Sequence, residues 1–250
     1  MITSLLFFPE KDIIERPEDY GLSAEDVFPV TEDGVKLHGW YLRAKEAQGA
    51  LLFLHGNAGN ISGRLHKAKG WVERGVSVLL LDYRGYGLSE GQIQTGEDIV
   101  RDARSGLEWL WHTHSWPMNK IILWGESLGS YPATRLAVEH KTGGLVLEAP
   151  FTAFSELATV HYPALPKMLV DAMLKDFRFD NLGLISKVKT SVFIMHGTAD
   201  ATCPYEMGRR LFEAAPEPKL FFSVPDAGHN NLPESSDEAY WEAPIEFLKT

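Results

Sequence analysis

The residues with the clearest chemical meaning are Gly125-Glu126-Ser127-Leu128-Gly129. The run ahead of them, Ile121-Ile122-Leu123-Trp124, is β-branched and apolar, as a buried strand requires. Beyond them Ala133, Leu136, Ala137 and His140 recur at helical spacing. Strand, Gly-x-Ser-x-Gly, helix is the setting of a nucleophile elbow. So tight a turn strains the serine backbone, and small neighbours permit it. The hydroxyl then stands clear at the sheet's carboxyl edge, with the next helix N-terminus facing any negative charge that develops. Taken alone, the pattern also fits a glycine-rich turn without chemistry, so its partners decide.

A serine hydroxyl is a weak nucleophile at neutral pH and needs a base, itself oriented by a buried acid. His229, within Asp226-Ala227-Gly228-His229-Asn230-Asn231, is the candidate base. Asp200, closing His196-Gly197-Thr198-Ala199-Asp200, is the candidate acid. Each has a plainer alternative: an exposed loop histidine, and a turn or cap residue ahead of a helix starting near Tyr205. A tetrahedral oxyanion needs preorganised N–H donors. Leu128 N–H in the elbow is one; Asn57, with Ala58 as the alternative, supplies the second from His55-Gly56-Asn57-Ala58-Gly59-Asn60. His55 and His196 read as structural, and Cys203 as a small buried hydrophobe. His112 and His114 have no clustered Cys or carboxylate partners, so no metal is expected there. Glu126 is ambiguous: it could repel an anionic substrate, pair with a cation, or face water.

Bringing these groups to one edge demands strands that end together. Glu25 to Thr31 and Val35 to Arg43, joined at Glu32-Asp33-Gly34, read as a hairpin. Ala50 to Leu54, Val76 to Leu81, Leu145 to Leu147, Thr190 to Met195 and Lys219 to Val224 read as further strands. Helical stretches fall near Ile61 to Arg74, Glu97 to His114 and Tyr205 to Ala214, with a terminal helix running through Phe247. Such alternation predicts an α/β fold, a mostly parallel sheet covered on both faces, with its site at the carboxyl ends of the strands. The glycines of Asp82 to Ser89 lack the lysine of a phosphate cradle and read as turn chemistry.

The whole is expected to be one domain over residues 1–250, since no repeat or linker divides it. A net charge of −10 argues against nucleic acid and anionic membrane surfaces as main partners. One cysteine rules out an internal disulfide and suits a reducing, cytoplasmic location. The opening MITSLLFFPEKD is too short an apolar run to span a bilayer.

FFPEKD, DGVKLHGWYL, LFLHGNAGN, LDYRGYGLSEG, GESLGS, IMHGTAD and DAGHNN together resemble the α/β-hydrolase superfamily, and within it the bud-emergence-protein-like and abhydrolase-domain subgroup. That resemblance implies an eight-stranded sheet with no cofactor, Ser127 as nucleophile, Asp200 as acid and His229 as base, with Asn57 and Leu128 as the oxyanion hole. It also implies a serine hydrolase of carboxylic esters or thioesters. A peptidase or amidase using the same residues, and a non-catalytic scaffold, are the alternatives. Many relatives carry a hydrophobic N-terminal anchor that is not seen here, often have a residue other than Glu at position 126, and commonly have Val at 203.

Residues 151–187, rich in aromatics, Met and Pro, fall where relatives insert a lid. Phe151, Phe154, Tyr162, Leu165 and Met168 are candidates to line an acyl pocket with Ala58, and the helical alternative packs Val160 to Met173 on the core. So short an insert favours small or medium acyl groups.

Overall fold

The structure, a computed structural model, describes residues 3–249; Met1, Ile2 and Thr250, the first two belonging to the opening apolar run, lie outside the described residues. Eight strands form one sheet: β1 (Ala24–Val27), β2 (His38–Leu42), β3 (Gly49–Leu54), β4 (Val76–Asp82), β5 (Ile121–Glu126), β6 (Gly144–Glu148), β7 (Val192–Gly197) and β8 (Lys219–Val224). Their spatial order is β1-β2-β4-β3-β5-β6-β7-β8. β2 runs antiparallel to β1 and β4, and all the remaining pairs are parallel. The hairpin expected at Glu32-Asp33-Gly34 is present, with Ala24 opposite Leu42 and a further bridge between Val30 and Lys36.

The central strands read as continuous apolar runs because both of their faces are covered. From β3, Leu52 and Leu54 enter one core cluster while Leu51 and Phe53 enter the other. Helices α2 (Gly96–Glu108) and α3 (Ser130–Glu139) supply Ile99, Ala103, Leu107, Ala133 and Leu136 to the first cluster. Helix α1 (Leu65–Glu73) supplies Leu65, Ala68 and Trp71 to the second, joined there by Tyr240. Asp98 caps the start of α2 by accepting from the N–H of Thr95 at 2.8 Å.

Two helical expectations are modified. The helix predicted to reach His114 leaves α geometry after Glu108 and finishes as a π-helical turn over Trp109–Thr113. The terminal helix is divided into a short turn at Leu232–Ser236 and a longer helix over Ala239–Lys249, because Asp237 turns the chain with φ 47°. That turn lays Tyr240 into the core. Residues 151–187 hold α4 (Phe154–His161) and α5 (Lys167–Met173), with no strand. Tyr205–Ala214 is helix α6.

Candidate active site

Ser127 follows β5 directly, with φ 50°, and opens a 3-10 turn over Ser127–Gly129 that leads into α3. This left-handed conformation is uncommon for a residue with a side chain, and the packing around the turn enforces it. A Cβ on Gly125 would lie 2.5 Å from the Gly129 carbonyl oxygen, and one on Gly129 would lie 1.9 Å from the Leu54 carbonyl oxygen. The two glycines therefore let the elbow close on itself and on β3.

His229 lies in the loop after β8, half-buried, with Nε2 3.0 Å from Ser127 Oγ. Its Nδ1 is 2.7 Å from Asp200 Oδ2. An ionised carboxylate only accepts, so the proton belongs on Nδ1, and Nε2 presents its lone pair to the serine hydroxyl. Asp200 sits just beyond β7, with its side chain fully buried. Its Oδ1 accepts from the N–H groups of Thr202 and Cys203, both at 2.8 Å. Burial alone would raise this carboxyl. The hydrogen bonds of His196 and His229, the His229 charge and the Cys203 N–H outweigh it and hold Asp200 well below the usual carboxylate range.

His196 and Cys203 complete this shell. His196 Nε2 is 2.8 Å from the Cys203 carbonyl and 3.2 Å from Asp200 Oδ2, so it braces the acid loop. Burial, then the charge of Asp200, pushes the Cys203 thiol well above its ordinary value, against a hydrogen bond with Ser127. This thiol is buried beside the serine.

The loop after β3 is also braced. Asn57 Nδ2 donates to the Leu6 carbonyl at 2.7 Å, and Tyr86 OH donates to the Asn57 carbonyl at 2.8 Å. The Asn57 side chain is thus tied to the N-terminal segment and to Tyr86. Exposed Ala58 pairs with Phe8 in a short parallel ladder. Leu128 is buried within the elbow. His55 is fully buried, its Nδ1 donating to the Gly56 carbonyl at 2.7 Å.

Sequence reasoning missed the cluster behind the serine. Of the three readings open for Glu126, pairing with a cation is the one found, and it has two such partners. Its Oε1 accepts from Arg64 at 3.0 Å and from Gly56 N–H at 3.3 Å, and its Oε2 from Lys67 at 2.7 Å. Lys67 also donates to Glu148 Oε1 at 2.8 Å, while Glu148 Oε2 accepts from Tyr240 OH at 2.7 Å and Trp124 Nε1 at 3.1 Å. Burial would raise the Glu126 carboxyl, but the charges of Arg64 and Lys67 and then their hydrogen bonds lower it far below its ordinary value. One signal was readable: Glu148 closes the apolar strand Gly144–Glu148, and a charge there needs a partner.

The proposed acyl-pocket residues divide between core and surface. Phe151 is 1% exposed and belongs to the main core, and Phe154 packs against Phe151 and Phe179. Phe151 is thus part of the core packing, and Phe154 is partly buried against it. Tyr162, Leu165 and Met168 are exposed, with Met168 at 84%. Of α5, only Val170 is buried, and it belongs to neither core cluster. A cavity of about 370 Å³ in this segment is lined by Ala153, Ser155, Asp171, Leu174, Phe177, Arg178, Phe179 and Asp180, and by none of the five aromatic, Leu and Met candidates. Among the described residues, no group of three or more His, Cys, Asp or Glu side chains is disposed to hold a metal ion. Nor is any described helix long and apolar enough to cross a membrane.

An open, mostly parallel eight-stranded sheet, helices on both faces and a serine on a strand–helix elbow define an α/β-hydrolase. Residues 45–183 match the family described as serine aminopeptidase, S33 (Hydrolase_4). A Mycobacterium tuberculosis protein, itself uncharacterized, is 36% identical over 93% of this chain and 82% of its own length. The α/β hydrolase domain-containing protein WAV2 of Arabidopsis thaliana is 29% identical over 93% of this chain and 81% of its own. An esterase of Pyrococcus furiosus superposes with a TM-score of 0.80 at 22% identity, covering 97% of this chain and 98% of its own. The chain belongs to the Hydrolase_4 family, among the abhydrolase-domain serine hydrolases.

Proposed function

We propose that this hydrolase cleaves carboxylic ester or thioester bonds of small to medium acyl substrates through an acyl-enzyme on Ser127. One observation carries the reading: the unbroken line of contacts from Ser127 Oγ through His229 to the buried Asp200 carboxylate. In this mechanism His229 Nε2 takes the hydroxyl proton as Ser127 Oγ bonds to the substrate carbonyl carbon. Asp200 stabilises the resulting imidazolium without taking its proton. The N–H groups of Leu128 and Asn57 receive the oxyanion, and the N-terminus of α3 favours the same charge. His229 then protonates the departing alcohol or thiol, and water repeats the sequence to release the acid. Residues 151–187 act as the lid, with Tyr162, Leu165 and Met168 as exposed apolar side chains for the acyl group and Ala58 beside the oxyanion loop.

The family description favours a second reading, cleavage of peptide or aminoacyl amide bonds by the same groups. An aminopeptidase site needs a carboxylate free to receive the substrate's amino group. Glu126, the carboxylate next to the serine, is already engaged by Arg64 and Lys67. It is therefore not that carboxylate, and parallel panels of acyl esters, acyl thioesters and aminoacyl amides separate the two readings. Ser127→Ala is expected to lower p-nitrophenyl butyrate turnover by about 10³-fold or more and to abolish fluorophosphonate labelling, with the melting curve retained. Undiminished turnover in that variant sinks the assignment.

A further inference from the structure

Glu126 is bonded to Ser127, and Gly56 is bonded to Asn57. The 3.3 Å contact from Gly56 N–H to Glu126 Oε1 therefore joins the loop after β3 to the end of β5, each within two residues of a proposed oxyanion donor. We infer that Glu126 is a positioning residue for the oxyanion hole, its carboxylate setting where the Asn57 amide stands relative to Ser127 and Leu128. The inference rests on the serine-hydrolase reading above.

The carboxylate is suited to this because it cannot turn. Oε1 is held by Arg64 and Oε2 by Lys67, at 3.0 and 2.7 Å. Lys67 is anchored in turn on Glu148, which Tyr240 of the C-terminal helix and Trp124 of β5 also hold. Two cations balance two carboxylates in this cluster, so Glu126 stays ionised as an acceptor. There is no slack on the loop side either. A Cβ on Gly56 would lie 2.8 Å from Glu126 Oε1 and 3.5 Å from Ser127 Cβ.

Stability alone gives little reason for such a cluster, since apolar side chains of similar volume often serve a fold as well as a buried ion pair does. A fixed distance between the loop after β3 and the end of β5 is what the charges add. That distance matters because a displacement of about 1 Å costs on the order of 10²-fold in rate, and loss of one oxyanion donor about 10²- to 10³-fold.

The test compares wild type, Glu126→Ala, Glu126→Gln and Gly56→Ala. Steady-state p-nitrophenyl butyrate hydrolysis and the second-order rate of fluorophosphonate inactivation are measured where circular dichroism shows each protein folded. Glu126→Ala is expected to lower kcat roughly 10- to 100-fold with KM within about threefold of wild type, and to slow inactivation in parallel. Glu126→Gln keeps an oxygen for the Gly56 N–H and should recover part of the loss. Gly56→Ala displaces the same contact from the loop side with every charge retained, so it answers the question if Glu126→Ala does not fold. Wild-type kcat in a folded Glu126→Ala, or in Gly56→Ala where the former is unfolded, overturns the inference. So does a loss confined to KM, or unfolding of all three variants, which would make the contact a stability element. A wild type that neither turns over esters nor reacts with the fluorophosphonate sinks the serine-hydrolase reading itself. A reactive wild type with unaffected variants sinks only the role of Glu126.

Discussion

Replacing Asp200 with Asn tests the site at its most constrained atom. The carboxylate has acceptors on two sides: Oδ1 for the Thr202 and Cys203 amides, Oδ2 for His229. Asparagine brings one oxygen and one NH2, and must choose. If its oxygen turns to His229, the Thr202 and Cys203 N–H groups lose their acceptor and face a donor, at about 1–3 kcal/mol for the buried Cys203 N–H. If the oxygen stays on those amides, the NH2 faces His229 Nδ1, whose tautomer changes, and His196 Nε2, which loses its contact with the carboxylate but keeps the Cys203 carbonyl. The second arrangement is the cheaper, so the fold survives while the proton moves to Nε2. There it points at Ser127 Oγ, 3.0 Å away, and no lone pair remains to take the hydroxyl proton. The expected loss is about 10³- to 10⁴-fold in kcat, or ~4–5.5 kcal/mol of barrier, with KM little changed. The assay is steady-state hydrolysis of p-nitrophenyl butyrate, with a thermal melt to confirm folding. A folded variant retaining kcat within tenfold of wild type would refute the argument that Asp200 sets the His229 tautomer.

Gly129→Ala should be poorly tolerated, because its Cβ would meet the Leu54 carbonyl oxygen at 1.9 Å and both partners are backbone. A cost of about 3 kcal/mol corresponds to a melting-temperature drop of roughly 6–12 °C, and an unchanged melt contradicts the packing described for the elbow. The Asp200 and Glu126 carboxyls are both lowered on folding. Their stabilisation is therefore complete above the unfolded values near pH 4 and is lost as pH falls through the folded ones. Asp102, which burial pushes up to about 6 against its bonds with Arg84, acts oppositely, removing stability as pH rises between about 4 and 6. Urea titrations of Glu126→Gln and Asp200→Asn beside wild type should thus show a shallower acid fall in the variants, and parallel curves would count against these assignments. Cys203, fully buried with its thiol pushed up, should resist a thiol-reactive disulfide reagent in the native protein and react once unfolded; rapid native labelling would show that the acid loop opens.

Much of this architecture was legible along the chain, for a local reason. Burial on both faces turns β3 to β7 into short apolar runs, and the helices between them carry a periodic stripe. Lys219–Val224 and Tyr205–Ala214 fall where their patterns place them. The elbow was readable because its serine and glycines fall within five consecutive residues, although what Gly129 makes room for is the Leu54 carbonyl of β3. The break at Asp237 and the π turn after Glu108 left no comparable signal, since each depends on how a helix end meets the sheet.

The residue types at positions 127, 200 and 229, and the alternation of strand and helix that carries them, belong to the sequence alone. The placement of His229 Nε2 and Nδ1 between Ser127 and Asp200, 102 and 29 residues away, belongs to the tertiary structure. So does the fate of Glu126, whose partners Arg64 and Lys67 lie 62 and 59 residues earlier in the chain. Local patterns record whether a side chain is buried, because burial repeats with the period of the element. They do not record which opposite charge or ring meets it there, because that contact exists only once distant strands lie side by side.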